Sequence, residues 1–175
     1  MSKAPSPYVV DTNVPVTANG SSNAGPVCVR SCVTAIRKLT GSGCVVLDDG
    51  WRIINEYRGN LSSKGQPGVG DRFLLWVLRN LRNPDRCVCV PITPIRSDAC
   101  NFEEFPNHPG LAQFDPSDRK FVAVAVSHGG CPPILEGTDA KWWGWREALA
   151  ECGIKVVFVC PEEIAAKFAQ KRRKQ

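Results

Sequence analysis

Short apolar runs alternate with helix-period segments along the chain, and this alternation limits the fold more than any other feature. Tyr8, Val9 and Val10 form an apolar strand that ends at Asp11. The segment 25–39 repeats apolar residues at Cys28, Val29, Cys32, Val33, Ile36 and Leu39, a helical stripe, and Gly41 and Gly43 stop it. A buried strand over 44–47 follows, and Asp48 or Asp49 can cap a helix carrying Trp51, Ile54 and Tyr57. A helix over 70–81, a strand over 87–92 and a helix opened by Ser117 or Asp118 come next. They are followed by a brief strand at Ile134-Leu135, a helix over 139–151 and a β-branched strand over 154–159. Pro161 sits where a first helical turn favours proline. Such alternation predicts an α/β fold, a three-layer α/β/α sandwich around a mostly parallel sheet of about four to five strands. The stretch 93–114 has little periodicity and reads as a long irregular loop, a kind that is often functional.

At 175 residues the chain suits one domain, with a core over about 7–165 and a basic tail over 167–175. A formal net charge of +5 biases it mildly towards anionic partners. The nine cysteines are odd in number, follow no signal-like leader and mostly lie in apolar stretches. Cys28, Cys32, Cys44, Cys131, Cys152 and Cys160 therefore read as reduced core residues of a cytoplasmic protein. No CxxC pair occurs, and neither His108 nor His128 has a ligand-spaced partner, which speaks against structural zinc. No apolar run approaches the ~20 residues that span a bilayer, so no membrane association is expected.

Four acids stand where a parallel sheet builds sites, beyond the carboxyl ends of its strands. Asp11 follows the first strand, Glu56 lies on the helix after the second, Asp118 opens a helix and Asp139 follows a short strand. Carboxylates gathered together raise one another's pKa, and a hard divalent cation relieves that. Taken singly, an Asp at a helix start is more often a cap, and Arg52 stands four residues before Glu56 as a pairing partner.

The order of these motifs resembles the PIN-domain nucleases. Val9-Val10-Asp11-Thr12-Asn13-Val14 matches their opening strand and acidic turn, and Ile53-Ile54-Asn55-Glu56-Tyr57 their helical Glu. Asp118-Arg119-Lys120-Phe121-Val122-Ala123-Val124-Ala125 matches their third acid, and Ile134-Leu135-Glu136-Gly137-Thr138-Asp139 their fourth. The resemblance covers residues 8 to about 160. It implies metal-assisted hydrolysis of phosphodiester bonds in RNA, with Mg²⁺ or Mn²⁺ held by Asp11 and Asp118 as main ligands. Glu56 and Asp139 would be ligands or water-positioners, and Thr12, Asn13 and Thr138 would steady them by hydrogen bonds. Family members often place a residue between the Thr and the fourth acid, whereas Thr138 and Asp139 are adjacent, so Glu136 stands as the alternative. Asp115 is close enough in sequence to Asp118 to be an accessory ligand.

Arg72, Arg79 and Arg82 fall on one side of their predicted helix, as a phosphate-binding stripe or a solvated face. Lys171, Arg172, Arg173 and Lys174 add a basic terminus that either binds RNA or only solubilises. Trp142, Trp145, Leu149 and Cys152 recur at helical spacing and read as packing residues. The resemblance leaves open a toxin restrained by an antitoxin, a stand-alone processing or defence nuclease, a homodimer, and a noncatalytic binding module. Asn13 stands where a dehalogenase-type phosphatase usually has a second Asp, and no phosphate-binding glycine motif follows the first strand.

Overall fold

The computed structural model describes residues 5–173. Five strands form one all-parallel sheet in the order β3-β2-β1-β6-β7. They are β1 (Pro7–Val10), β2 (Cys44–Asp48), β3 (Cys87–Val90), β6 (Ile134–Glu136) and β7 (Val156–Phe158). Around them run α1 (Asn13–Ala18), α2 (Pro26–Ser42), α3 (Arg52–Asn60), α4 (Val69–Asn80), α5 (Arg119–Ser127), α6 (Ala140–Glu151) and α7 (Pro161–Arg172). Helices α1, α2 and α4 pack on one another, whereas α5 lies against β1, β2 and β6. Right-handed crossovers put these two sets on opposite faces of the sheet, the expected three layers. No helix among the described residues is long and apolar enough to cross a membrane.

The strand order fixes where a site can form. From β1 the chain passes to β2 and β3, then returns to the other side of β1 as β6. The order therefore reverses between β1 and β6, which pair directly, Val9 opposite Ile134 and Val10 opposite Leu135. The crevice beyond their carboxyl ends is the switch point of the sheet. Val9, Val10, Val45, Val46, Leu47 and Ile134 are wholly buried, as strands covered on both faces must be.

Three expectations change. A short helix, α1, follows β1 directly; six residues are too few to show a period in sequence. The stretch 93–114 is no plain loop. It contains an antiparallel hairpin, β4 (Pro94–Ile95) with β5 (Asp98–Phe102), then a 3₁₀ turn at Pro109–Leu111. Phe102, Leu111 and Phe114 bury into the core and anchor it, and Glu104 accepts from the N–H and hydroxyl of Thr93. Finally, Cys28 and Cys160 are joined as a disulfide because the first turn of α2 meets the start of α7. The other seven cysteines are free thiols.

Candidate active site

The crevice between β1 and β6 is floored by Asp11 and Glu136. Asp11 is 4% exposed and is held at the strand end by its N–H, which donates to Leu135 O at 3.0 Å. Its carboxylate accepts the N–H of Asn13 at 2.9 Å. Glu136 is fully buried; its Oε1 accepts from Asn13 Nδ2 at 2.7 Å and from the Asp139 N–H at 2.9 Å, while its Oε2 has no partner. Asn13 is the strap between the two strands. Its Oδ1 accepts the N–H groups of Gly137 and Thr138, at 2.8 and 3.2 Å. A Cβ on Gly137 would stand 2.7 Å from that oxygen, so only glycine lets the strap close. Thr138 thus contributes its backbone N–H, and Asn13 hydrogen-bonds both Asp11 and Glu136.

Glu56 reaches the same place from α3. Thr12 Oγ1 donates to its Oε1 at 2.6 Å, and the Lys120 ammonium pairs with its other oxygen. The alternative partner, Arg52, is instead bonded to Asp48 at 3.5 Å. Lys120 also donates to Ser117 O and is only 9% exposed.

Asp118 stands before α5, and the Trp142 indole N–H donates to its Oδ2 at 3.2 Å. Asp139 caps α6 through the Lys141 N–H at 2.9 Å, leaving its second oxygen outside that bond. Asp115, considered as an accessory ligand, is engaged by Lys141 Nζ at 2.8 Å and by Ser117, which hold its carboxyl down to about 2.

These placements leave negative charge without matching positive charge. Burial, then the charges of Asp118 and Glu56, push Asp11 well above the ordinary carboxylate range. Burial and the charge of Asp11 do the same to Glu136. Asp118 is raised to about 6, by burial first and then by Asp115 and Asp139. Lys120 and Lys141 are already paired with Glu56 and Asp115. The unpartnered Glu136 oxygen and the raised carboxyls are what a hard cation would relieve, and the donors are all oxygens, which suits Mg²⁺ or Mn²⁺. The set is open rather than closed. Among the described residues no three carboxylates bring one oxygen each within 4.8 Å of one another. That spacing suits an ion held by one or two carboxylates and several waters, the usual habit of Mg²⁺.

Beside the acids lies a cleft of about 420 Å³ lined by Arg52, Glu56, Phe102, Ser117 and Lys120, with Ala99 and Cys100 from the hairpin. The hairpin is thus a wall of the site. Arg72 and Arg79 lie elsewhere, in a groove that they share with Arg37 and Trp76 between α2 and α4. Arg82 is exposed beyond the end of α4. Lys171 and Arg172 end α7 and Arg173 follows it, all exposed; Lys174 lies outside the described residues.

Two side chains at the site were not foreseen from sequence, Lys120 and Trp142. Lys120 had a readable signal. It precedes the unbroken apolar run Phe121–Ala125 in the first turn of α5, the end of a crossover helix that lies near the sheet's carboxyl edge. The indole bond to Asp118 had none, because Trp142 also fits the apolar stripe of its helix. No family model, no curated protein and no solved structure matches this chain.

Proposed function

We propose that this chain is a metal-dependent endoribonuclease of the PIN type, hydrolysing phosphodiester bonds in the crevice between β1 and β6. The observation that carries the reading is the gathering of Asp11, Asp118, Glu136 and Glu56 at the sheet's switch point, with three of the carboxyls raised. Asp11 and Asp118 would be the principal holders of Mg²⁺ or Mn²⁺, with Glu136 and the second oxygen of Asp139 within the same charge field. When bound, such an ion polarises the phosphate and lowers the pKa of a bound water.

The chain's own residues do the rest. Thr12 and Lys120 fix Glu56, whose carboxylate is placed to orient a water or accept its proton. Asn13 fixes Glu136 beside Asp11, and Trp142 orients Asp118, the supporting bonds such a site needs. Lys120 and Arg52, each paired with a carboxylate, line the adjoining cleft with N–H donors that a phosphate backbone could also engage, and Phe102 gives it an apolar wall. RNA is the substrate class that the resemblance implies.

The test is incubation of the purified chain with labelled single-stranded RNA and DNA in Mg²⁺, Mn²⁺ or EDTA, alongside Asp11→Asn and Asp118→Asn. Metal-dependent cleavage lost in both variants is the expected result, and the strand cut names the substrate. A folded chain that neither cleaves nor binds Mn²⁺ would overturn the proposal.

A further inference from the structure

Three sulfurs meet on the side of the molecule where α2 and α7 begin. The Sγ atoms of Cys28, Cys32 and Cys160 all lie within 4.8 Å of one another, the only such trio of potential metal ligands among the described residues. Cys32 Sγ is 4.0 Å from Cys160 Sγ. All three residues are buried, and Cys32 is wholly inaccessible. The cysteines Cys44, Cys87, Cys131 and Cys152 belong to no such group.

The starts of two helices meet at the trio. Cys28 is the third residue of the 17-residue α2, and Cys160 is the N-cap of the 12-residue α7. Neither N-cap residue makes a side-chain capping hydrogen bond, and the positive ends of both helices meet at the trio, where Glu162 and Glu163 in the first turn of α7 share them. Glu163 ties them together, accepting the Gly25 N–H while pairing with Lys167 at 2.7 Å. Without a cation the setting opposes thiolate, since burial and then the charges of Glu136 and Glu163 push Cys32 up to about 12.

We propose that the trio is a redox-gated thiolate site for one thiophilic cation of the Zn²⁺ class. Oxidised, Cys28 and Cys160 are bonded to each other and Cys32 is a lone thiol. Reduction by a phosphine breaks the S–S bond; the phosphine leaves as its oxide, and water supplies the oxygen and the two thiol protons. The ion then displaces one proton from each of three thiols, and an oxygen ligand or water completes four-coordination. Reading the sequence for zinc misses this set because its third member is 128 residues beyond the second.

The test is Co²⁺ and Zn²⁺ titration of the full-length chain, phosphine-reduced or oxidised with a small-molecule disulfide. Sulfur-to-cobalt charge-transfer absorption separates this site from any all-oxygen site. One equivalent with thiolate absorption is expected in the reduced chain and none in the oxidised chain. Cys32→Ser should weaken binding at least tenfold, while Cys89→Ser/Cys100→Ser leaves it unchanged. No thiolate absorption in the reduced wild-type chain, or equal absorption in both redox forms, overturns the proposal whatever the variants do. Full absorption in a folded Cys32→Ser chain also overturns it.

Discussion

Asp11 and Asp48 end neighbouring parallel strands, and both are buried, at 4% and 0% exposure. Asp48 is answered by its own chain. The helix that follows points its first N–H groups back at it, so that its oxygens accept from Arg52 N at 2.8 Å and Ile53 N at 2.9 Å, with the Arg52 guanidinium alongside. Asp11 receives one such bond, from Asn13, and is surrounded by the charges of Asp118, Glu56 and Glu136, with Lys120 as the smaller opposing charge. The residue type and local position are the same; the difference is which strands stand beside it. β2 lies between β1 and β3, whereas β1 borders the switch point. A strand-terminal Asp is a cap where its donors are local and a candidate ligand where its neighbours are other acids brought from far along the chain.

The largest effect should separate the two in catalysis. Asp11→Asn or Asp118→Asn should lower metal-dependent cleavage by at least about 100-fold, the scale on which one electrostatic group matters at a reacting site. Asp48→Asn, assayed per folded molecule, should stay within a few-fold of wild type. Equal losses at Asp48 and Asp11 would break the contrast.

Stability should separate them with opposite signs. In EDTA, Asp11→Asn removes a buried charge from among like charges and should raise the melting temperature. Asp48→Ala strips two helix N–H groups of their acceptor and should cost about 2 kcal/mol, a fall of roughly 5 °C for a chain of this size. Thermal melts of the two variants beside wild type decide it.

The pH dependence sharpens the same point. Asp118 is raised to about 6 from an ordinary 3.8, so the folded chain holds that proton more tightly than the unfolded chain does. Its stabilising contribution is complete below about pH 4 and is lost as pH rises through 6. Asp11 and Glu136 act in the same direction. The metal-free chain should therefore gain stability, on the order of 1 kcal/mol, between pH 7 and 5. Asp118→Asn should flatten that rise. Carboxyls held low, such as Asp115, lose their contribution only at more acid pH and do not mask this window. Denaturant unfolding at pH 5, 6 and 7 in EDTA reads the slope directly.

What could be read in advance follows from what is local. The strands, the long helices and the caps at Asp48 and Asp139 depend on near neighbours, so periodicity and capping rules reach them. The stretch 93–114 does not alternate, because its ordering comes from Phe102, Leu111 and Phe114 entering a core built elsewhere. Among the acids, position along the chain put Asp11, Glu56 and Asp118 at one edge. It put Asp139 fourth with Glu136 as the alternative, and local position does not show that Asn13 reaches across 123 residues to Glu136 while the Asp139 carboxylate caps its own helix. The Cys28–Cys160 bond joins residues 132 apart and was equally out of reach.

The smallest effect is the most discriminating. Asp118 receives the Trp142 indole N–H, a donor from α6 rather than from its own helix start. That bond favours the charged carboxylate and partly offsets burial. Trp142→Phe keeps the ring's packing against Phe114 but removes the donor. With a net worth of about 1 kcal/mol, its loss should move Asp118 upward by less than about one pH unit. The acid limb of the cleavage profile should shift by that amount while the rate on the alkaline plateau changes little. A capping aspartate would answer differently, losing helix stability at every pH and leaving the profile's shape alone. A profile that keeps its shape in Trp142→Phe would therefore move Asp118 into the class of Asp48.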